Sequence, residues 1–164
     1  MAAEAASIKP LPLQGFSRVR SFGAGADGAC AILEPGELLC TSKAPELPPG
    51  AQLLAVLVPV QVADLSEVDD ITAGNAHTCA LRQGEVYCWG SNQVGQLGSG
   101  APKMQTRPAL VPDLEGITVI AAGSGHQCAA TEDGSVWCWG NSFFGQAGGV
   151  AGQNVLRPQR VMQR

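Results

Sequence analysis

The sequence is poor in charged side chains, and this scarcity excludes several classes of protein. Its 164 residues include fourteen acidic and ten basic residues, with a net charge of −4 at pH 7, and the basic residues are scattered. Proteins that bind nucleic acid usually present a basic patch or stripe. We therefore expect no nucleic-acid partner. Apolar residues reach 45%, which excludes a disordered chain and predicts a packed one.

Long apolar runs are also missing. The most apolar stretch, Leu53–Val62, is about half the length that a membrane helix needs, and it contains Pro59 and Gln61. The start, Met1–Ser7, is small and acidic, without the basic and apolar regions of a secretory leader. These features predict no membrane insertion. They leave open an intracellular protein or a segment of a longer chain.

Glycine and proline, in contrast, are abundant, and they recur at a nearly constant spacing. Three glycines lie 49 residues apart, as do three of the cysteines; the prolines follow with spacings of 49, 49 and 50 residues. The positions are Gly25, Gly74 and Gly123, Cys30, Cys79 and Cys128, and Pro10, Pro59, Pro108 and Pro158. Such a period marks a repeat that buries its apolar face against the next copy.

Within the middle repeat, the pattern predicts four short strands. They cover residues 70–74, 77–82, 85–89 and 107–111, and Gln83-Gly84 forms a two-residue hairpin turn between the second and third. Four strands in about 50 residues are typical of a propeller blade, whereas helical periodicity is absent. The predicted fold is all-β, a partial β-propeller of about three four-stranded antiparallel blades. An N-terminal segment, 1–17, precedes a divergent repeat at 18–66 and two further repeats at 67–115 and 116–164.

The hairpins place cysteine opposite cysteine in every repeat, although their turns differ in length. Counting outward from each turn predicts three within-hairpin disulfides: Cys30–Cys40, Cys79–Cys88 and Cys128–Cys138. In the first repeat, Glu34-Pro35-Gly36 is expected to form a type I turn, and Glu132-Asp133-Gly134 in the third to form a type I turn with a glycine bulge.

Residues 70–148 resemble repeats of the regulator of chromosome condensation family. The matching positions are Gly74, His77, Trp89, Gly90, Gly95 and Gly98 in the second repeat, and Gly123, His126, Trp139, Gly140, Gly145 and Gly148 in the third. The first repeat matches less well, because Thr41-Ser42 replaces Trp-Gly and Gly28 replaces the histidine. The resemblance implies a propeller, commonly of seven blades, that binds proteins through its face loops. The paired-cysteine variety is similar to bacterial secreted or surface members and plant receptor ectodomains. It implies an extracellular, periplasmic or cell-surface location.

Metal, redox, photosensory and catalytic sites are less well supported by the residues. Two histidines and six cysteines raise the idea of a zinc or redox protein, but the cysteine pairs are too widely spaced for a usual structural zinc site. We interpret His77 and His126 as hydrogen-bonded core residues beside disulfides. Trp89 and Trp139 are interpreted as packing between blades, because the tryptophan-rich pattern of a photoreceptor of this family is absent. No catalytic constellation, metal site or cofactor site is predicted.

The function expected is therefore a non-enzymatic scaffold for an unknown protein partner. A cytosolic nucleotide-exchange or signalling regulator of the same family remains an alternative, as does a metal or redox protein. Three blades do not close a ring, so we expect self-association through open faces or edges, with apolar segments such as Leu53–Val58 exposed. Phe143 corresponds to Gln93 and is expected to be exposed as a candidate partner contact, whereas Phe144 corresponds to Val94 and is expected to be buried.

Overall fold

The computed structural model describes residues 15–26, 28–43 and 57–162, and every regular element in these ranges is a β-strand. The predicted all-β class is confirmed. None of these residues forms a helix with the length and apolarity to cross a membrane. The strands are β1 (Val19–Gly25), β2 (Gly28–Leu33), β3 (Glu37–Lys43), β4 (Leu57–Gln61), β5 (Asp70–Ala73), β6 (His77–Arg82), β7 (Glu85–Gly90), β8 (Gln105–Leu110), β9 (Ile117–Ala122), β10 (His126–Thr131), β11 (Val136–Gly140) and β12 (Val155–Met162).

The strands form three antiparallel sheets of four, each an up-and-down meander. The sheets comprise β1 to β4, β5 to β8 and β9 to β12, in chain order across each sheet. Each sheet lies within one of the three predicted repeats, and we call them blades 1, 2 and 3. Pro59, Pro108 and Pro158 all lie in the fourth strand of their blade, at a sheet edge where a missing N–H does no harm. Pro10 lies outside the described residues.

The hairpin turns follow the sequence closely, with one exception. Gln83 and Gly84 both take positive φ angles, 49° and 83°, as a two-residue type I′ turn requires. In blade 1 the type I turn expected at Glu34-Pro35-Gly36 is wrong. The amide of Gly36 donates to the carbonyl of Leu33 at 2.6 Å, which puts Pro35 at the third turn position, and the Glu34–Pro35 bond is cis. That combination is a type VI turn.

The cysteine register is the one that the sequence predicts. Each pair lies directly opposite across its hairpin, with Cα separations of 4.0, 4.2 and 4.1 Å. The sulfur atoms are bonded at 2.07, 2.07 and 2.10 Å in blades 1, 2 and 3. Each disulfide therefore joins the second and third strands of one blade and leaves the contacts between blades to noncovalent packing.

The hydrophobic core is divided between the two blade interfaces. Between blades 1 and 2, Ile32 and Leu38 belong to one buried cluster with Val68 and Ile71. The equivalent residues between blades 2 and 3 share a second cluster: Leu81, Val86, Ile117 and Ile120. Blade 2 thus buries one sheet face against blade 1 and the other against blade 3, as expected for a repeat that has no complete core of its own.

The first strands of the blades lie side by side, β1 next to β5 and β5 next to β9. Polar contacts join them. The Ser21 hydroxyl bonds the Asp70 carboxylate at 2.8 Å, and the Ala122 amide donates to the Thr72 hydroxyl at 3.0 Å. These contacts join the first strands of adjacent blades into an inner row.

The recurring glycine stands where this inner row is most crowded. A Cβ atom on Gly25 would lie 1.7 Å from the carbonyl oxygen of Gly74, and one on Gly74 would lie 2.6 Å from that of Gly123. The Gly74 position is also closed by His77, whose Cε1 atom would be 2.2 Å away. Only glycine leaves room for this close approach, which explains why glycine recurs at the same position of each repeat.

Part of the apolar segment Leu53–Val58 falls outside the description. Residues 53–56 are not described, whereas Leu57 and Val58 belong to β4 at the edge of blade 1. The expectation of an exposed apolar strand there therefore stays a prediction.

Replacing Gly74 by alanine should destabilise the protein by about 2 kcal/mol, because the added methyl group would overlap the His77 ring and the backbone of blade 3. Gly125→Ala is the matched control, since a Cβ atom there meets nothing closer than 3.5 Å. Denaturant unfolding of both variants measures the difference. Equal stabilities for the two variants would show that the glycine spacing is not set by packing.

Candidate interaction surface

The long connection between the third and fourth strands forms an ordered loop in blades 2 and 3. In blade 2, residues 91–104, it is organised by the buried Asn92. The Asn92 side chain donates to the hydroxyl of Ser99 at 3.0 Å and to the carbonyls of Ala101 and Lys103 at 2.6 and 3.2 Å. Its oxygen accepts from the amide of Leu97 at 2.9 Å. The loop is therefore held by hydrogen bonds within itself.

Blade 3 covers the inner part of this loop. Trp139 is fully buried, and its indole Nε1 donates to the carbonyl oxygen of Gln96 at 3.0 Å. The side chain of Val94 lies against Gly125 of blade 3, within van der Waals range of where a Cβ atom would be. The interpretation of Trp139 as packing between blades is thus correct. Trp89 is half-buried and packs against the cluster between blades 1 and 2.

The equivalent loop of blade 3, residues 141–154, presents two aromatic side chains to solvent. Phe143 is 65% exposed and Phe144 is 85% exposed, and their rings meet edge to face with centroids 5.0 Å apart. Side-chain oxygens hold the backbone beneath them: Asn141 accepts from the Phe143 amide at 2.9 Å and Gln146 from the Phe144 amide at 2.8 Å. The two rings therefore stand on a fixed backbone.

The exposure of Phe143 is as predicted, but the predicted burial of Phe144 is wrong. Its counterpart Val94 is half-buried because blade 3 packs on it, whereas no sheet among the described residues follows β12 to cover Phe144. Gln93, the counterpart of Phe143, stays exposed even though blade 3 covers its loop. Exposure at the Phe143 position is therefore independent of the neighbouring blade, whereas burial at the Phe144 position depends on it.

Among the described residues, His77 has a strongly shifted pKa. Its side chain is 3% exposed, and neither ring nitrogen has a hydrogen-bond partner among the described residues, so the expected hydrogen bond is not found there. Burial lowers the pKa of His77 from 6.5 to about 4, with a smaller contribution from the charge of His126, while the nearby Gln127 acts in the opposite direction. His126 is half-buried against Gly123. Both histidines fill space behind the repeat glycine.

The six cysteine sulfurs are bonded to one another, so none is a thiolate in this structure. In the part of the chain that is described, no three His, Cys, Asp or Glu side chains cluster as metal ligands would. The arrangement adds no support to the metal or redox alternative.

Two surface ion pairs link the blades, and the sequence analysis did not predict them. Arg107 bonds Asp64 at 3.5 Å, and the repeat-equivalent Arg157 bonds Asp113 at 2.9 Å. Both pairs link the fourth strand of a blade to the connection before that blade, and both are exposed, so each contributes about 1 kcal/mol or less. The signal was present, because an arginine precedes the proline at both 107–108 and 157–158.

Comparison with known families agrees with this geometry. Residues 83–130 match one model of the regulator of chromosome condensation (RCC1) repeat, and residues 68–96 and 117–146 match a second. The chain carries RCC1 repeats. The matched ranges run from residue 68 to residue 146, which covers the second blade and the first three strands of the third, with their shared His and Trp positions.

The RCC1 repeats are shared with several curated proteins. The chain is 43% identical over 76 residues to the human E3 ubiquitin-protein ligase HERC2, covering 43% of this chain and 2% of that protein. It is 37% identical over 79 residues to the ultraviolet-B receptor UVR8 of Arabidopsis thaliana, covering 46% of this chain and 18% of the receptor. The chain thus spans less than a fifth of the length of these relatives, and the similarity to the ligases runs through their RCC1 repeat regions.

Solved structures match over more of the RCC1-repeat chain. Prp20p of Saccharomyces cerevisiae aligns with a TM-score of 0.74 at 20% identity, covering 91% of this chain and 39% of that protein. Human WBSCR16 aligns with a TM-score of 0.70 at 22% identity, covering 88% and 40%. At these identities the likeness concerns the fold alone, and it confirms the predicted propeller.

The stability of the protein should fall as the pH drops from about 6.5 to about 4. The unfolded chain binds a proton at His77 with the ordinary pKa of 6.5, whereas the folded chain does so only near 4, so protonation favours unfolding in this window. The loss should approach about 3 kcal/mol, since one pKa unit corresponds to about 1.4 kcal/mol.

Denaturant unfolding at pH 7 and pH 5 measures this slope. His77→Gln should flatten it, whereas the matched variant His126→Gln should retain most of it because His77 is still present. If His77→Gln keeps the full slope, other groups cause the acid sensitivity.

Proposed function

We propose that this chain is a non-enzymatic protein-interaction scaffold, and that its partner binds the 141–154 loop of blade 3 with Phe143 as the anchor. One observation carries the proposal: Phe143 is 65% exposed at a repeat position that remains exposed even where the next blade covers the loop. A large apolar side chain at such a position is available to a partner and is not reserved for packing between blades.

The loop also has the rigidity that suits an interface. The Phe143 amide is held by Asn141, and the carbonyl of Phe143 accepts from the amide of Gly152 at 3.0 Å. Little conformational entropy is lost when a partner binds a loop that is already ordered. Aromatic anchors on such loops often contribute much of the binding energy.

Proteins of the same fold support a protein as the class of partner. The structure of Prp20p is described together with its binding to Gsp1p and histones. A second structure shows Kap60 bound to yeast RCC1 (Prp20), which is 25% identical to this chain with a TM-score of 0.70. These contacts belong to those proteins and indicate the class of partner that this fold can bind.

The non-enzymatic part of the proposal rests on the extent of the similarity. The ligases related to this chain are matched over 2% to 10% of their length, through the repeats. We propose that the repeats act as a binding surface. The sequence contains no recognisable combination of nucleophile, base and oxyanion donors.

We further propose that the protein acts in an oxidising compartment, which is extracellular, periplasmic or at the cell surface. Three disulfides in 164 residues support this, because disulfides form and persist in such compartments and are rare in the reducing cytosol.

Protein purified from its native source without reductant should contain no free thiol. Each disulfide closes a loop of about ten residues, which stabilises the fold by roughly 2–3 kcal/mol in an oxidising medium. Intact mass after alkylation, with and without prior reduction, counts the thiols. Six alkylated cysteines before reduction would place the protein in a reducing compartment and contradict the proposed location.

Phe143→Ala should weaken partner binding by about 1 kcal/mol or more and leave the melting temperature nearly unchanged, because the side chain is exposed in the free protein. A partner is first recovered by cross-linking with the unmodified chain, and calorimetry then compares its affinity for the variants. Gln93→Ala, at the same position of blade 2, is the matched control and should bind normally. Lower stability with unchanged affinity would show that Phe143 belongs to the core.

A further inference from the structure

Blade 1 has one sheet face that no other described blade covers. This face, which we call the leading face, carries Val19 and Phe22 of β1, which are 45% and 70% exposed. The equivalent residues of blade 2 are Val68 and Ile71, both buried against blade 1. In blade 3 they are Ile117 and Ile120, both buried against blade 2. The exposed pair therefore occupies positions that form half of an interface in every other blade.

Blade 3 has the opposite face uncovered. This trailing face carries Ala130 of β10 and Val136 of β11, both half-buried. Their counterparts Ile32 and Leu38 in blade 1 lie in the cluster that includes Val68 and Ile71. The counterparts in blade 2, Leu81 and Val86, lie in the cluster that includes Ile117 and Ile120. The trailing face is the other half of the same repeated interface.

The side chains on the two open faces differ from the internal pattern in opposite directions. Phe22 has three side-chain carbons more than Ile71 or Ile120, whereas Ala130 has three fewer than Ile32 or Leu81. Val19 is the same as Val68 and has one carbon fewer than Ile117, and Val136 is the same as Val86 and has one carbon fewer than Leu38. A leading face placed on a trailing face would therefore have nearly the same total apolar volume as either internal interface. The larger side chain would lie on the leading face and the smaller one on the trailing face. Tight packing tolerates such volume-conserving exchanges best.

We propose that the leading face of one copy of this chain docks on the trailing face of a second copy. The close approach at the recurring glycine is also possible at this junction. Within one chain, Gly74 faces the carbonyl of Gly123 in the next blade. At the junction, Gly123 would face the carbonyl of Gly25 in the second copy. The tryptophan contact is not retained, because Thr41 stands in blade 1 where Trp139 stands in blade 3. The junction therefore depends on the apolar pair and the close backbone approach.

Such a contact is head-to-tail, so each copy uses both of its open faces. Two copies contribute six blades, within the range of four to eight at which propellers close. A head-to-tail contact whose rotation closes gives a ring. The proposal is thus a two-copy ring in which Phe22 of each chain packs on Ala130 of the other.

Sedimentation of the full chain tests this assembly. One chain has a mass of 16.8 kDa, and we expect the sedimenting species to have the mass of two. Phe22→Asp should reduce it to the mass of one chain, because a carboxylate would be buried in the apolar junction. Met104→Asp is the matched control, since Met104 is 63% exposed and lies on neither face; it should sediment as the pair. A single-chain mass for the unmodified protein, or a paired mass for Phe22→Asp, would overturn the proposal.

A mixing experiment then tests the head-to-tail geometry. Ala130→Asp should also sediment as one chain, but an equimolar mixture with Phe22→Asp should form pairs again. The intact trailing face of one variant and the intact leading face of the other can still meet. A mixture that stays at the mass of one chain, or an Ala130→Asp variant that pairs by itself, would contradict the proposed contact. Circular dichroism checks that Ala130→Asp folds, and Ala130→Gln replaces it if it does not. Neither face includes Phe143, whose counterpart Gln93 stays exposed where the next blade covers its loop, so Phe143→Ala should still sediment as the pair even if it loses the proposed partner.

Discussion

The structure depends on one constraint: a four-stranded blade cannot bury both of its faces by itself. Its apolar residues find partners only on the next blade, so the core consists of interfaces, with Ile32 and Leu38 packed in one cluster with Val68 and Ile71, and the same arrangement repeated 49 residues later. The disulfides stabilise single hairpins, and the exposed ion pairs add little. The packing between blades therefore decides how stable the array is and which surfaces remain open.

The repetition of glycine at one position of each blade is a direct result of that packing. Neighbouring inner strands approach until the carbonyl of one blade occupies the place where a Cβ atom of the adjacent blade would be, and His77 and His126 fill the space behind the glycine. A buried, unpaired imidazole is retained there at the cost of a lowered pKa. Blade 1 has Gly28 in place of the histidine and Thr41 in place of the tryptophan, so it makes fewer of these contacts than the other two.

The loops show how one repeat serves two purposes. In blade 2 the loop is a docking site for Trp139, which donates to Gln96, while Gln93 stays in solvent. In blade 3 the equivalent loop is also held by hydrogen bonds within itself, although Ser142 replaces Asn92, and it carries Phe143 and Phe144 in place of Gln93 and Val94. Local hydrogen bonds order the loop whether or not a neighbour covers it. Its side chains can therefore change toward partner binding without loss of the backbone shape.

The sequence by itself determined the repeat, the strands, the turn at Gln83-Gly84 and the cysteine pairs, because these depend on local spacing and on the alternation of strand residues. It did not determine the turn at Pro35, where the cis bond depends on context, or the ion pair between Arg107 and Asp64, which only the approach of adjacent blades creates. It also misplaced Phe144. The burial of a residue between blades is decided by the neighbouring blade, and a repeat pattern read along one chain predicts the position but not whether a neighbour is there to cover it.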